Sequence, residues 1–208
     1  MFNLGQYMEM TAPGSDVPEG LALDDIQEMD ELSSQDLYET FDIHETEMIQ
    51  DIQECIESNP DLKIDQWQEL DIGEKERVLQ NLETQIAQIE DRAPCEIRIE
   101  HMEGKHGYAI PARGLIVISA SDASVETISG LREVVDTVVH EGRHAYQFQN
   151  VYGVRTEMND AKYNGWIDNY ATGYLTAEEY GMQAYLSQPL EADAWAFAER
   201  TVSQISFR

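Results

Sequence analysis

Two histidines and a glutamate stand inside an apolar segment of the sequence, VVHEGRHAYQ at residues 138–147. Burial of ionisable side chains is unfavourable unless hydrogen bonds or a metal ion replace the lost water. His140 and His144 are four residues apart, so on a helix both imidazoles project from the same side. They can then bind one Zn²⁺, and Glu141 can reach a water molecule on that ion. The alternative is a pair of hydrogen-bonded core histidines without a metal.

A catalytic zinc site usually has three protein ligands, and no histidine follows His144 in the sequence. The metzincin arrangement is excluded because Gln147 and Asn150 stand where it needs glycine and histidine. A third ligand further along the chain must therefore be a carboxylate, and Glu191 and Asp193 are the candidates. They lie about 200° apart around a helix, so one ion cannot bind both. We expect the longer Glu191 to be the ligand, with Asp193 orienting an imidazole or capping the helix; the alternative is a pair of solvated first-turn acids.

A hydrolytic site also needs a hydrogen-bond donor for the oxyanion that forms in the transition state, and a tyrosine hydroxyl can provide it. Tyr185 is the first candidate because it closely precedes the expected third ligand, with Tyr174 and Tyr170 behind it. Residues 114–119 could bind an extended peptide by strand addition, or could be an ordinary edge strand. Arg143 could pair with a nearby acid or a substrate carboxylate, although a solvated surface position is the simpler expectation.

Helices and a small sheet must position these side chains. Residues 129–149 carry apolar residues at intervals of three and four and predict the helix that holds both histidines. Residues 95–101 alternate polar and apolar types, and 114–119 are a short β-branched run, so we expect a sheet of two or three strands. Further helices are predicted at about 73–92 and from residue 187 onward, where a proline suits the first turn.

The net charge of −28 is spread unevenly along the chain. Residues 1–91 hold 25 acidic and three basic residues, while the remainder holds 16 acidic and 10 basic residues. Such a balance argues against binding to nucleic acid or anionic membranes and predicts partners that are neutral, cationic or metallic. We expect a flexible tail at 1–20, an acidic helical region at 21–92 that could engage a protein partner, and a catalytic domain at 93–208.

Only two cysteines are present, so we expect neither a disulfide framework nor a four-thiolate zinc site. The first residues lack a basic start followed by an apolar core, and no run of roughly 18 apolar residues occurs. These features predict a soluble protein that is cytoplasmic, or exported as an effector without a Sec signal peptide.

The segments HEGRH (140–144) and EADAWAFA (191–198) resemble a motif pair of the compact gluzincin-type zincins related to the ImmA/IrrE peptidases. In that family H-E-x-x-H is followed, on a later helix, by E-x-E-A-x-x-F-A. Residues 107–119 are similar to the turn and edge strand that precede the active-site helix. The chain also resembles metallopeptidase domains of bacteria and phages, some of them attached to toxins. The similarity covers roughly residues 93–205, with Asp193 where the family has its second glutamate.

The resemblance implies an α+β fold, in which a compact zincin-like domain with a small sheet, an active-site helix and a C-terminal helix follows the acidic helical region. It implies a zinc-dependent peptidase in which His140, His144 and Glu191 bind Zn²⁺. Glu141 would activate the metal-bound water as general base. The alternative is a zinc-stabilised, catalytically degenerate binding module whose acidic helices engage a protein partner. A third reading makes residues 1–91 an inhibitory or targeting segment.

Overall fold

The computed structural model describes residues 43–102 and 104–208. Over these residues the fold is mixed α+β, mostly helical, with one three-stranded sheet. The elements, in chain order, are α1 (Ile43–Ser58), α2 (Ile64–Trp67), α3 (Ile72–Ile89), β1 (Glu96–Glu100), β2 (Gly107–Ile110), β3 (Leu115–Ser119), α4 (Ala120–Ala123), α5 (Ile128–Tyr152), α6 (Asp160–Thr172), α7 (Ala177–Tyr180), α8 (Met182–Ser187) and α9 (Pro189–Val202). The expected tail at 1–20 and the helical pattern at 21–42 lie outside the described residues. None of the described helices is long and apolar enough to cross a membrane.

Strand β3 is the central strand of the sheet. It pairs in parallel with β1, where Ile97 faces Ile116, and antiparallel with β2, where Tyr108 faces Val117. Its residues 116–118 are buried, and a strand covered on both faces is apolar throughout rather than alternating. The expectation of an edge strand at 114–119 that is free to bind a peptide is therefore wrong, because both sides of β3 are already paired. The strand next to it, β2, lies at the edge.

Helices α1 and α3 belong to the same hydrophobic core as the sheet and α5. The core side chains of these elements include Ile52, Ile56, Leu79, Leu82, Ile86, Ile97, Ile116, Val134 and Val138. Three side chains of α3 also accept hydrogen bonds from backbone N–H groups in β1 or just before it, each at 2.8 Å. Glu83 accepts from Cys95, Gln80 from Ile97 and Glu76 from Ile99. The core is thus continuous across residues 92 and 93, where we expected the catalytic domain to begin, and the described residues belong to one compact unit.

Helix α5 is the longest described helix and carries the H-E-x-x-H motif. It begins after Thr127, whose hydroxyl accepts a hydrogen bond from the backbone N–H of Gly130 at 3.1 Å. The sequence predicted a helix at residues 129–149, and the helix in the structure has closely similar limits. Valine is a mediocre helix former, and burial of the valine stripe stabilises this helix. Gly142 allows close packing, because a Cβ there would lie 2.8 Å from the Arg92 guanidinium.

Helix α9 packs against α5 and carries both candidate acids in its first half. It begins at Pro189, as predicted, and buries Leu190, Ala194, Phe197 and Ala198 at intervals of three and four. The segment that connects α5 to α9 contains α6, α7 and α8. This connection passes beside the motif helix and places two tyrosines near the start of α9.

Candidate metal centre

Helices α5 and α9 bring His140, His144 and Glu191 together. The two imidazole Nε2 atoms lie 3.2 Å apart. One carboxylate oxygen of Glu191, Oε1, lies 3.1 Å from Nε2 of His144, and the other, Oε2, lies 3.5 Å from Nε2 of His140. The structure thus joins the three residues that the sequence nominated, and they form a group whose geometry could hold a metal ion.

The donor set fits a zinc ion. Ligand atoms placed tetrahedrally at 2.0–2.1 Å from zinc are separated from one another by about 3.3–3.4 Å. The two imidazole nitrogens lie 3.2 Å apart, and each lies 3.1–3.5 Å from a different oxygen of the Glu191 carboxylate, which is close to that spacing. Among the described residues, Oε2 of Glu191 and Nδ1 of His140 are buried without a hydrogen-bond partner. An unpaired buried carboxylate oxygen is unfavourable, and a cation between the three side chains would compensate for it.

The charges of the site support one another. Glu191 is fully buried, and burial by itself would raise its pKa. The contacts with His140 and His144 outweigh that effect and hold the pKa of Glu191 well below its ordinary range. Burial would likewise lower the pKa of His144, but the contact with Glu191 outweighs it and raises that pKa to about 9. Without a metal, the contacts with the two imidazoles therefore stabilise the buried carboxylate.

Two of the three candidate tyrosines border the site. Tyr174 donates a hydrogen bond from its hydroxyl to Oε1 of Glu191. The ring of Tyr185 lies 6.0 Å from the ring of Tyr174, and burial together with the charge of Glu191 raises the pKa of Tyr185. Tyr170 instead packs against Phe148, at a ring distance of 6.4 Å. Tyr185 was the first candidate from the sequence, but Tyr174 makes the hydrogen bond to the acid.

Glu141 and an exposed aromatic ring complete the surroundings. The side chain of Glu141 is mostly buried, and its charge contributes to the raised pKa values of His144 and Tyr185. The ring of Trp195, four residues after Glu191, packs edge-on against His140 at a centroid distance of 4.9 Å and is 46% exposed. One wall of the site is consequently aromatic and open to solvent.

Asp193 does not join the histidines. Its Oδ2 accepts hydrogen bonds from Nε of Arg143 at 2.8 Å and from Nε2 of Gln147 at 2.9 Å, and its Oδ1 lies 3.0 Å from Nζ of Lys162. Burial would raise the pKa of Asp193, but these cations outweigh it and lower that pKa. Of the two candidate acids, the structure therefore brings only Glu191 to the pair of imidazoles. Asp193 acts on His144 through Gln147, whose Oε1 lies 2.9 Å from the imidazole Nδ1.

Arg143 is fully buried, so the expectation of a solvated surface position is wrong. Its guanidinium lies 4.3 Å from the ring centroid of Phe197 and 4.5 Å from that of Tyr146. Besides Asp193, it donates a hydrogen bond to Glu45 of α1 at 2.9 Å. A buried cation needs partners of this kind, and here the partners come from two other helices. The ion pairs thus link α1 to the motif helix and to α9.

Gln147 and Glu45 were missed from the sequence. Gln147 entered only as the residue that excludes the metzincin pattern, although it stands three residues after His144 on the same helix and within reach of that ring. Glu45 carries no recognisable signal, because Arg143 is 98 positions away in a chain with 41 acidic residues.

Comparisons with protein-family models, with curated proteins and with solved structures find no match for this chain. What the site does must therefore be inferred from its residues and their geometry.

Proposed function

We propose that the protein is a zinc-dependent peptidase with a zincin-like fold. His140, His144 and Glu191 bind Zn²⁺, and Glu141 is the general base. The observation that supports this most directly is the convergence of two imidazole nitrogens and a buried carboxylate within 3.1–3.5 Å. Two histidines and one glutamate are a donor set that catalytic zinc sites use, with one position left for water or substrate. The order of sheet, motif helix and later helix also agrees with a zincin-like architecture.

The side chains around the ligands suit peptide hydrolysis. Zinc supplies Lewis acidity, which lowers the pKa of water and polarises a carbonyl group. Glu141 accepts the proton of the attacking water and delivers it to the leaving amine, which is the general acid–base role that a carboxylate beside the site can perform. Because Glu141 is mostly buried, the access of bulk water to its carboxylate is limited.

The two tyrosines take different roles in this proposal. Tyr174 donates its hydroxyl hydrogen to Glu191 and so orients the carboxylate. Tyr185 keeps its proton because its pKa is raised, so its hydroxyl is available as a donor to the oxyanion of the tetrahedral intermediate. The sequence-based assignment of Tyr185 to catalysis therefore stands as part of the proposal.

The substrate is a protein or peptide that binds in an extended conformation along β2. This strand lies at the edge of the sheet and packs against α5, since a Cβ on Gly107 would lie 2.6 Å from Cγ2 of Thr137. Pairing with its outer side would carry a peptide past the motif helix. The acidic chain disfavours nucleic acid as a ligand, while a protein partner for the acidic N-terminal region stays a proposal.

Substitution of the base separates catalysis from metal binding. We expect the wild-type protein to retain zinc, measured by elemental analysis after dialysis, and to cleave a denatured protein mixture. Glu141→Gln should retain the same zinc content while proteolysis falls roughly 10²- to 10⁴-fold, the usual contribution of a general base. The matched control is Glu133→Gln, an exposed glutamate on the same helix, which should leave both quantities unchanged.

Two results would contradict the peptidase. Wild-type protein that binds zinc but has no proteolytic activity would favour the catalytically degenerate binding module. Absence of zinc from both the wild type and Glu141→Gln would remove the metal site altogether. His144→Ala, which deletes one ligand, should release the metal and so verifies that bound zinc occupies this centre.

A further inference from the structure

The side-chain amide of Gln147 contacts both helices that carry the candidate ligands. Gln147 is fully buried on α5. Its Nε2 donates to the backbone carbonyl of Leu190 and to Oδ2 of Asp193, each at 2.9 Å. Its Oε1 lies 2.9 Å from Nδ1 of His144. Leu190 immediately precedes Glu191, so one amide touches a candidate ligand on α5 and the backbone beside another on α9.

The surroundings of Gln147 determine which way its amide points. Both Nε2 hydrogens are used, one on a carbonyl oxygen and one on a carboxylate oxygen. The reversed amide would lose both of these hydrogen bonds and place its oxygen against two acceptor oxygens in a buried environment, which is strongly unfavourable. Oε1 therefore faces His144, and Nδ1 of that imidazole must carry the proton that Oε1 accepts. The other ring nitrogen, Nε2, is turned toward Glu191.

We propose that Gln147 is a positioning residue that fixes the His144 imidazole with Nδ1 as donor and Nε2 toward Glu191, and that sets the register between α5 and α9. The link to metal binding rests on the proposed function. Outer hydrogen bonds of this kind orient histidine ligands in metalloproteins, usually through a carboxylate or a carbonyl oxygen. Here the amide oxygen of Gln147 accepts this hydrogen bond, and the carboxylate of Asp193 contacts the amide rather than the imidazole.

Asp193, which accepts a hydrogen bond from Gln147, is itself fixed by other partners, so the orientation of the Gln147 amide is fixed as well. Arg143 donates to Asp193 at 2.8 and 3.3 Å, and Lys162 lies 3.0 Å from it. The other histidine differs, because Nδ1 of His140 has no hydrogen-bond partner among the described residues. The His140 ring instead packs edge-on against the rings of Trp195 at 4.9 Å and His144 at 4.8 Å. The two imidazoles are therefore held by different means, and only one depends on Gln147.

Gln147→Met tests the proposal, because methionine keeps the length of the side chain and removes its hydrogen bonds. The matched control is Gln149→Met on the same helix, which loses hydrogen bonds to Ala93 and Asp91 but contacts no candidate ligand. The first measurement is nuclear magnetic resonance of the metal-free protein, with the His144 signals assigned by comparison with His144→Gln. The second is zinc affinity by competition with a chromophoric chelator, alongside circular dichroism to verify folding.

In the wild type we expect an Nδ1-bonded proton on His144 that exchanges slowly with water. Gln147→Met should lose this protection and bind zinc roughly 10- to 100-fold more weakly, the usual effect of removing such a support. Gln149→Met should match the wild type in both measurements. The proposal is overturned if wild-type His144 shows no protected Nδ1 proton, which requires no variant to fold, or if Gln147→Met binds zinc as tightly as the wild type. A protected proton in a protein that binds no zinc would support the positioning and would overturn the peptidase instead.

Discussion

Removing the buried cation Arg143 should destabilise the whole described unit. Arg143→Met keeps an unbranched side chain but removes the guanidinium that lies over Phe197, and it deletes the hydrogen bonds to Asp193 and Glu45 at 2.8–3.3 Å. Loss of one partner from a buried ion pair costs about 3–5 kcal/mol, because Asp193 and Glu45 stay buried and keep only the weaker compensation from Lys162 and Arg200. For a unit of this size each kcal/mol lowers the melting temperature by about 2–4 °C, so we expect a decrease of about 6–20 °C.

The same change at an exposed arginine is the control. Arg98 pairs with Glu96 at 2.9 Å, but both side chains are about half exposed, so Arg98→Met should leave the melting temperature unchanged. Thermal and urea unfolding followed by circular dichroism, with a chelator present, measure both variants. If Arg143→Met lowered the melting temperature by less than 2 °C, this would refute the view that the ion pairs of Arg143 compensate for the burial of its charged groups.

The dependence on pH sharpens this test. A carboxyl whose pKa is lowered by folding, as for Asp193, stabilises the protein above its ordinary pKa of about 4, and the stabilisation is lost as the pH falls through the lowered value. Without Arg143, the pKa of such acids rises relative to the wild type, so that protonation at lower pH relieves part of the cost. The loss of stability of Arg143→Met relative to the wild type should therefore be smaller at pH 5 than at pH 8. Equal deficits at the two values would contradict the electrostatic explanation.

Two further predictions concern the core. The isolated segment 92–208 should show no cooperative unfolding transition, because it loses the fully buried Leu79, Leu82 and Ile86 of α3; a cooperative transition would show that it folds alone. Deletion of residues 1–91 therefore cannot distinguish an inhibitory segment from a structural one. Burial raises the pKa of the Cys95 thiol to about 12, and between the ordinary thiol pKa of about 8.5 and that value the unfolded chain releases a proton that the folded protein retains. The free energy of unfolding should consequently fall by up to roughly 1.4 kcal/mol per pH unit across this range. Urea titrations at pH 9 and 11 should show a smaller fall for Cys95→Ala, and an unchanged slope would contradict the thiol assignment.

Local periodicity was sufficient to place the motif on a helix. Residues 129–149 repeat their apolar positions at three and four, and the helix found is Ile128–Tyr152. The alternating and β-branched segments became strands at Glu96–Glu100 and Leu115–Ser119 for the same reason. Patterns of this kind are readable because the geometry of a helix or strand repeats within a few residues.

The order of strands was not readable from the sequence. The apolar run of β3 is compatible with either an edge or a central strand until its neighbours are known, and the structure places it between β1 and β2. The continuity of the core was hidden for a similar reason, since the excess of acids in the N-terminal part suggested a separate region. Glu47, Asp51, Glu54 and Glu57 lie on the exposed face of α1, while the buried faces of α1 and α3 complete the common core.

The sequence by itself determined that His140 and His144 share one helical face with Glu141 beside them, and it limited the third partner of the imidazoles to Glu191 or Asp193. Only the tertiary structure decided between these acids, turned Asp193 toward Arg143 and Gln147, and brought Glu45 to the same buried cluster. Spacing along one helix is a local property that four residues define. Contacts across helices depend on how α5 and α9 cross, and that crossing is set by the packing of the entire core.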